Sequence, residues 1–379
     1  MVSPRLFVSV ILLAVGLSAQ NTWTVDDSGG AQFDQLQSAI DFASPGDTLL
    51  IQPGFYLAAT VDRPLRIIAD GPGVEVQGGL TISGIPAPGS VLVSGVESEP
   101  SLNCGVTIQS CSALIWIENW QTDATLLTPF SISFASNVVL VNCDVSSLHS
   151  AALEIMNSTV HIQRSRFVGG EDGASSSGLA GLSAVNANLF LQEVEAVGGD
   201  GGAAVGMVPD GGPGLSLVRS PTFARNLAVQ GGAPGLDVTS GTTGSAGVPI
   251  AADPPSPVQL STGPVYTLEV VPVARVGESI DYTIGGPPGD VVALNFAFDP
   301  APFYLPFLNG SILTGVPLFG VSVGTLDSNG MLCLPTVAEP LGPSTTSLTI
   351  FAQVIAFSPS SSSISVGEAR PVSLFAPGF

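Results

Sequence analysis

A chain of 379 residues with 45 Gly, 31 Pro and a net charge of −21 has room for two domains and favours many short strands over long helices. Such an acidic chain, whose nine basic residues are all Arg, repels nucleic-acid phosphate and anionic membrane surfaces and excludes them as partners. Four cysteines without a CxxC or Cys/His cluster argue against zinc.

In chain order, the first apolar run is Leu6 to Leu17, which follows Arg5 and ends at Leu17-Ser18-Ala19. A short apolar run with a small residue at its exit reads as a secretory signal peptide over residues 1–19. It is too short to span a bilayer comfortably. The protein is therefore expected outside the cell or in the cell envelope, with no membrane contact beyond the cleaved signal. In a secreted chain, the close spacing of Cys104 and Cys111 suits a small disulfide loop, whereas Cys143 and Cys333 read as buried and unpaired.

Thr22–Val25 opens as a strand, and Phe33, Leu36, Ile40 and Ala43 fall at helical spacing before Pro45-Gly46. A helix here would cover the raw strand edge of whatever follows. Asp47–Tyr56 begins a series of short alternating runs, each broken by Gly, Pro, Asn or Ser. From Leu153 one pattern occurs three times, led by Leu153, Leu182 and Leu215. Each copy reaches a Gly pair sixteen residues on, at Gly169, Gly198 and Gly231. Counting Ile132 as the preceding leader, the steps are 21, 29 and 33 residues, so the coil core stays constant while the loop after the Gly pair grows. This is a parallel β-solenoid, whose coils bury their apolar faces only by stacking.

The solenoid is read over residues 20–248 and a stiff Pro-rich linker over 249–262. Over 263–379, strands without intervening helices read as a small antiparallel β-sandwich. The cap helix, Asp47–Tyr56 and the repeated Leu-x-x-x-Asn-x-x-Val-x-Ile rung make residues 22–248 resemble the right-handed parallel β-helix proteins of the pectin lyase-like class. The C-terminal part is similar to the terminal domain of many secreted bacterial β-helix proteins. The resemblance implies a sugar-polymer ligand, and activities in the class range from lyases and hydrolases to adhesins.

Alternation assigns faces. Val139/Val141, Val160/Ile162, Leu189/Leu191 and Thr222/Ala224 are expected inside. Outside stand Leu140/Asn142, His161/Gln163, Phe190/Gln192 and Phe223/Arg225. His161, Gln163, Phe190, Gln192, Phe223 and Arg225 thus form the candidate ligand-binding ladder, with aromatic faces beside amide and guanidinium donors. A covered ladder, or ordinary β-surface, is the competing reading. Asn157 and Asn186 read as turn residues satisfying local backbone groups, and Arg164 with Glu193 as an ion pair between coils.

Lyases of the resembled class often use clustered acidic calcium ligands with an Arg or Lys base, and hydrolases need two close carboxylates. Glu171, Asp172 and Asp200, which follow successive Gly pairs, are the carboxylates to test, with Arg225 beside them. No metal site is assigned. Ca²⁺ on these Gly-flanked acids is the one cofactor with any support, although neither loop matches the nonapeptide calcium repeat. No nucleophile signature accompanies His149 or His161. Asn157-Ser-Thr159 and Asn309-Gly-Ser311 are formal glycosylation sites. The function expected is a non-catalytic extracellular binding or structural module for polysaccharide or cell-surface glycan. Alternatives are a polysaccharide lyase or glycoside hydrolase, and an envelope protein displayed through its C-terminal domain.

Overall fold

The computed structural model describes residues 20–98, 105–125, 129–172, 177–254, 256–308, 310–315, 319–342 and 345–379. The expected signal peptide and Cys104 lie outside the described residues. The chain forms two compact units. One comprises Trp23–Gly263 together with Pro302–Leu313; the other is built from Pro264–Ala301 and Thr314–Phe379.

The first unit is nearly all β, with long parallel sheets, the architecture of a parallel β-helix. Thr159–Gln163, for example, lies in a ten-stranded sheet (sheet 1), Leu153–Met156 in a nine-stranded sheet (sheet 2) and Arg166–Val168 in a five-stranded sheet (sheet 3). The coils add strands to sheets 1 and 2 along the whole unit, and those from Gln121 to Gln230 add one to sheet 3 as well. Between sheets 2 and 1 the chain turns on one residue in left-handed backbone, in the successive coils Ser110, Phe134, Asn157, Asn186 and Arg219. Between sheets 1 and 3 it turns on Asn119, Asn142, Arg164, Glu193 and Asn226. Asn is the side chain that tolerates this conformation best. Its recurrence at these bends follows from backbone geometry.

Pairing stacks Val160 on Leu189 and Leu189 on Thr222, and all three are fully buried. Each buried Leu, Ile or Val of this ladder contributes about 1.5–3 kcal/mol. The preceding coil departs from the expected register. Phe130, not Ile132, lies level with Leu153, and Val138 and Leu140 stack beneath Val160 and Ile162. Val139 and Val141 therefore belong to the outward columns, and Leu140 to the inward one. Four consecutive apolar residues, Val138 to Val141, carry no alternation that could fix the face, and a one-residue slip inverts it.

The strand Gly54–Val61 ends sheet 2. Its free N–H groups are taken by side chains: Phe55 N–H donates to Asp27, Leu57 N–H to Gln35 and Thr60 N–H to Gln37. Gln37 begins one residue inside the helix Leu36–Phe42, which buries Leu36, Ala39 and Ile40.

The loops after the Gly pairs form a layer of their own. Leu179 N–H donates to the Gly170 carbonyl, Gly199 to Leu179, Gly212 to Gly199, Gly232 to Gly212 and Gly247 to Gly232. A Cβ on Gly199 would lie 2.0 Å from the Gly170 oxygen, and one on Gly212 2.3 Å from the Leu179 oxygen. Only glycine allows extended segments to approach so closely, so each added loop joins the layer through backbone hydrogen bonds.

The expected linker does not hold as such. Ile250–Ala252 pairs with Leu215–Val218, and Val258–Ser261 with Thr222–Arg225, so residues 249–262 supply a further coil. Pro257 precedes a strand at the end of sheet 1, a position where a missing N–H is tolerated.

In the second unit, Thr267–Glu269, Ser279–Gly285 and Met331–Val337 form a three-stranded sheet. Val273–Arg275, Ser363–Phe375, Ser347–Ser358, Val291–Ala297 and Phe319–Thr325 form a five-stranded one. Val273–Arg275 pairs in parallel with Ser363–Phe375, an exception to the antiparallel expectation. Leu268, Ile280 and Ile284 share one apolar core with Val292, Leu294, Leu348 and Val354. The buried Asp290 carboxylate accepts hydrogen bonds from the Tyr266 and Ser358 hydroxyls. Cys333, expected to be buried, is exposed at a position that faces outward from its strand.

Candidate functional site

The expected ligand-binding ladder exists as a register but not as an open surface. His161, Phe190 and Phe223 form one outward column of sheet 1, and Gln163, Gln192 and Arg225 the next. Their rings stack, with centroids 4.6 Å apart for His161 and Phe190 and 5.5 Å apart for Phe190 and Phe223. Tyr304, from the segment Pro302–Leu313, lies against Phe190 at 5.0 Å and Phe223 at 4.9 Å. Ser311 Oγ is 2.8 Å from His161 Nδ1. Beneath this strap a space of only about 10 Å³ remains, about one water's worth. Burial pushes His161 down to about 4, because the charged imidazolium would lose its hydration.

The polar column is spent internally. The Gln163 amide donates to Gln192, and the Gln192 amide to Glu193. Arg225 stands 3.8 Å from Glu193, and both side chains are largely buried. Glu193 thus pairs with Arg225. A guanidinium held this way cannot reach a substrate as a base. The strap lies about 150 positions away in sequence, and no local pattern announces it.

An open groove lies instead along the bend between sheets 2 and 1. Its volume is about 450 Å³, and Phe134, Ser136, Asn157, Thr159, Asn186 and Asn188 line it. Asn157 and Asn186 occupy the same bend in consecutive coils, as Thr159 and Asn188 occupy the same strand position. Among the described residues the side-chain amides of Asn157, Asn186 and Asn188 make no hydrogen bond. At the other bend the Asn142 amide donates to Asn119 at 2.7 Å. The turn reading therefore accounts for the backbone of Asn157 and Asn186, but their side-chain amides face the groove unspent.

Phe134 is 58% exposed and has φ 53°. Asn or Gly is the ordinary occupant of such backbone, and a bulky side chain there is strained. The residues that line the groove include no ionisable group. The sequence reading passed over Phe134, Thr159 and Asn188. The one signal available was an aromatic residue where neighbouring rungs carry Asn.

The post-glycine loops of Glu171, Asp172 and Asp200 do stack. The Glu171 carboxylate lies against Gly202, and Asp200 Oδ1 accepts the Ala233 N–H at 2.7 Å. Asp210 does the same for Ser245. Asp200 and Asp210 thus hold loop backbone, as acceptors for N–H groups of the next coil. Among the described residues no three His, Cys, Asp or Glu side chains converge as metal ligands. Cys111 and Cys143 are buried, each with its thiol at backbone carbonyls. Burial pushes the Cys143 thiol up to about 12.

No helix of the described residues is long and apolar enough to cross a membrane. No family model matches the chain, and no curated protein matches it. Two solved structures show distant likeness. Tailspike protein gp49 of Acinetobacter baumannii bacteriophage Fri1, a capsular polysaccharide depolymerase, aligns at 11% identity over 93% of this chain and 86% of its own, with TM-score 0.30. Superoxide reductase (neelaredoxin) from Ignicoccus hospitalis aligns at 8% identity over 29% of this chain and 80% of its own, with TM-score 0.17. At such TM-scores neither likeness bears on fold or function.

Proposed function

We propose that this protein is a secreted, non-catalytic binding module for a polysaccharide, acting outside the cell or in its envelope. In this reading the first unit is a right-handed β-helix of the pectin lyase-like kind, right-handed as parallel crossovers almost always are. The helix Leu36–Phe42 caps its first coil, and the second unit is a β-sandwich. The groove at the sheet 2–sheet 1 bend is the binding surface. The observation that carries the reading is Phe134, an exposed aromatic ring on left-handed backbone beside amides without partners. Strain of this kind persists where the side chain is required, and a ring flanked by amides suits the apolar face and hydroxyls of a sugar. No cofactor is invoked.

Purified protein should be retained on at least one of pectin, alginate, chitin or other cell-wall glycans and release no reducing ends or unsaturated products. Phe134→Ala should abolish retention. Turnover of any of these polymers would overturn the non-catalytic part, and retention of none would overturn the binding part. A lyase or hydrolase reading keeps one supporting observation, the stacking of the Glu171 and Asp200 loops. It requires that Glu171→Gln and Asp200→Asn abolish a measurable turnover.

A further inference from the structure

Resting on the groove as the binding surface, we infer that its ligand is an uncharged, extended linear glycan lying parallel to the coil axis, with one sugar residue on each coil. Three observations lead there. The first is repeat distance. Phe134, Asn157 and Asn186 are the same bend position in three consecutive coils, held in register by parallel pairing. Neighbouring strands lie about 4.7–4.9 Å apart, close to the advance per residue of an extended β-linked pyranose chain. Each sugar of such a chain meets an equivalent bend, and a coiled or strongly kinked glycan loses the match after one residue.

The second is charge. The groove presents amides, hydroxyls and one aromatic ring but no ionisable side chain. Uronates and sulfated sugars are ordinarily held by Arg or Lys, and a chain of net charge −21 repels polyanions at long range. Arg219 follows Asn186 at the next bend but is not among the residues that line the groove.

The third is the division of labour along the ladder. Phe134 stands at one end, where its face can cover the apolar side of a pyranose ring. Asn157 and Asn186, with Thr159 and Asn188 beside them, supply paired donors and acceptors for ring hydroxyls or an acetamido group. Unspent amides of this kind add discrimination, because a sugar lacking the matching hydroxyl would leave them unsatisfied.

The test is titration of the full-length protein, by calorimetry, with cello-, chito- and galacturono-oligosaccharides of two to six residues. Affinity for a neutral series should rise up to three residues and level off from four, and the galacturono series should bind at least about tenfold more weakly. Asn157→Gly combined with Asn186→Gly keeps the left-handed bends and removes only the amides. It should lower affinity by about tenfold or more with the fold intact by circular dichroism. Equal or tighter binding of the charged series, or affinity independent of chain length, would overturn the inference while leaving polysaccharide binding in place. Binding of none of the three would overturn the inference, and only retention on no polymer at all would overturn polysaccharide binding with it.

Discussion

Phe134 combines φ 53° with a largely exposed ring, so neither burial nor backbone preference explains it. An L-residue in left-handed backbone is disfavoured by about 1–2 kcal/mol, and Asn by less. Phe134→Asn should therefore raise the urea midpoint, by about 1 kcal/mol of stability, while abolishing glycan retention. A merely structural Phe134 would show the opposite sign in the first measurement. His161 makes a second prediction. Its folded value of about 4 lies below the usual 6.5, so the unfolded chain binds the extra proton first. Stability from this group is full above about pH 6.5 and declines as pH falls towards about 4. His161→Phe would keep the ring stack but remove the hydrogen bond between His161 Nδ1 and Ser311 Oγ, at a cost of about 0.5–1.5 kcal/mol. It should also flatten the dependence of melting temperature on pH between about 6.5 and 4.

At the scale of elements, the coil strands were readable because their core is local. Leu153, Leu182 and Leu215 lead rungs of fixed length, and pairing places them level with one another. Where alternation lapsed, at Val138 to Val141, the register slipped by one and the faces with it. The linker reading failed for a related reason. Pro254 and Pro257 signal extended chain, but extended chain beside an unpaired strand edge becomes another strand. The glycine layer was legible only as growing loops. Its hydrogen bonds join residues about 9 to 20 positions apart, and glycine carries no side chain by which a sequence could announce them. Gly199→Ala and Gly212→Ala should each cost about 3 kcal/mol or more, read from the urea midpoint. A Cβ there meets backbone, which cannot move aside as a side chain would.

At the scale of the whole molecule, 30 acidic residues against nine basic ones make a compact state that repels itself. Raising the salt from about 10 mM to about 0.5 M shortens the screening length from about 30 Å to a few Å and should raise the melting temperature. A fall would mean that specific ion pairs outweigh net repulsion. The sequence by itself determined the repeating coil, its dry interior of Leu, Val and Ile, and the turns at Asn157 and Asn186, because each depends on residues within one coil and its immediate neighbours. Only the tertiary structure decided which outward face is open. The strap of Tyr304 and Ser311 closes the ladder at His161, Phe190 and Phe223, while nothing described covers the bend at Phe134, Asn157 and Asn186. Burial of a surface depends on what the chain brings to it from far along its length, and composition or period within a rung carries no trace of that.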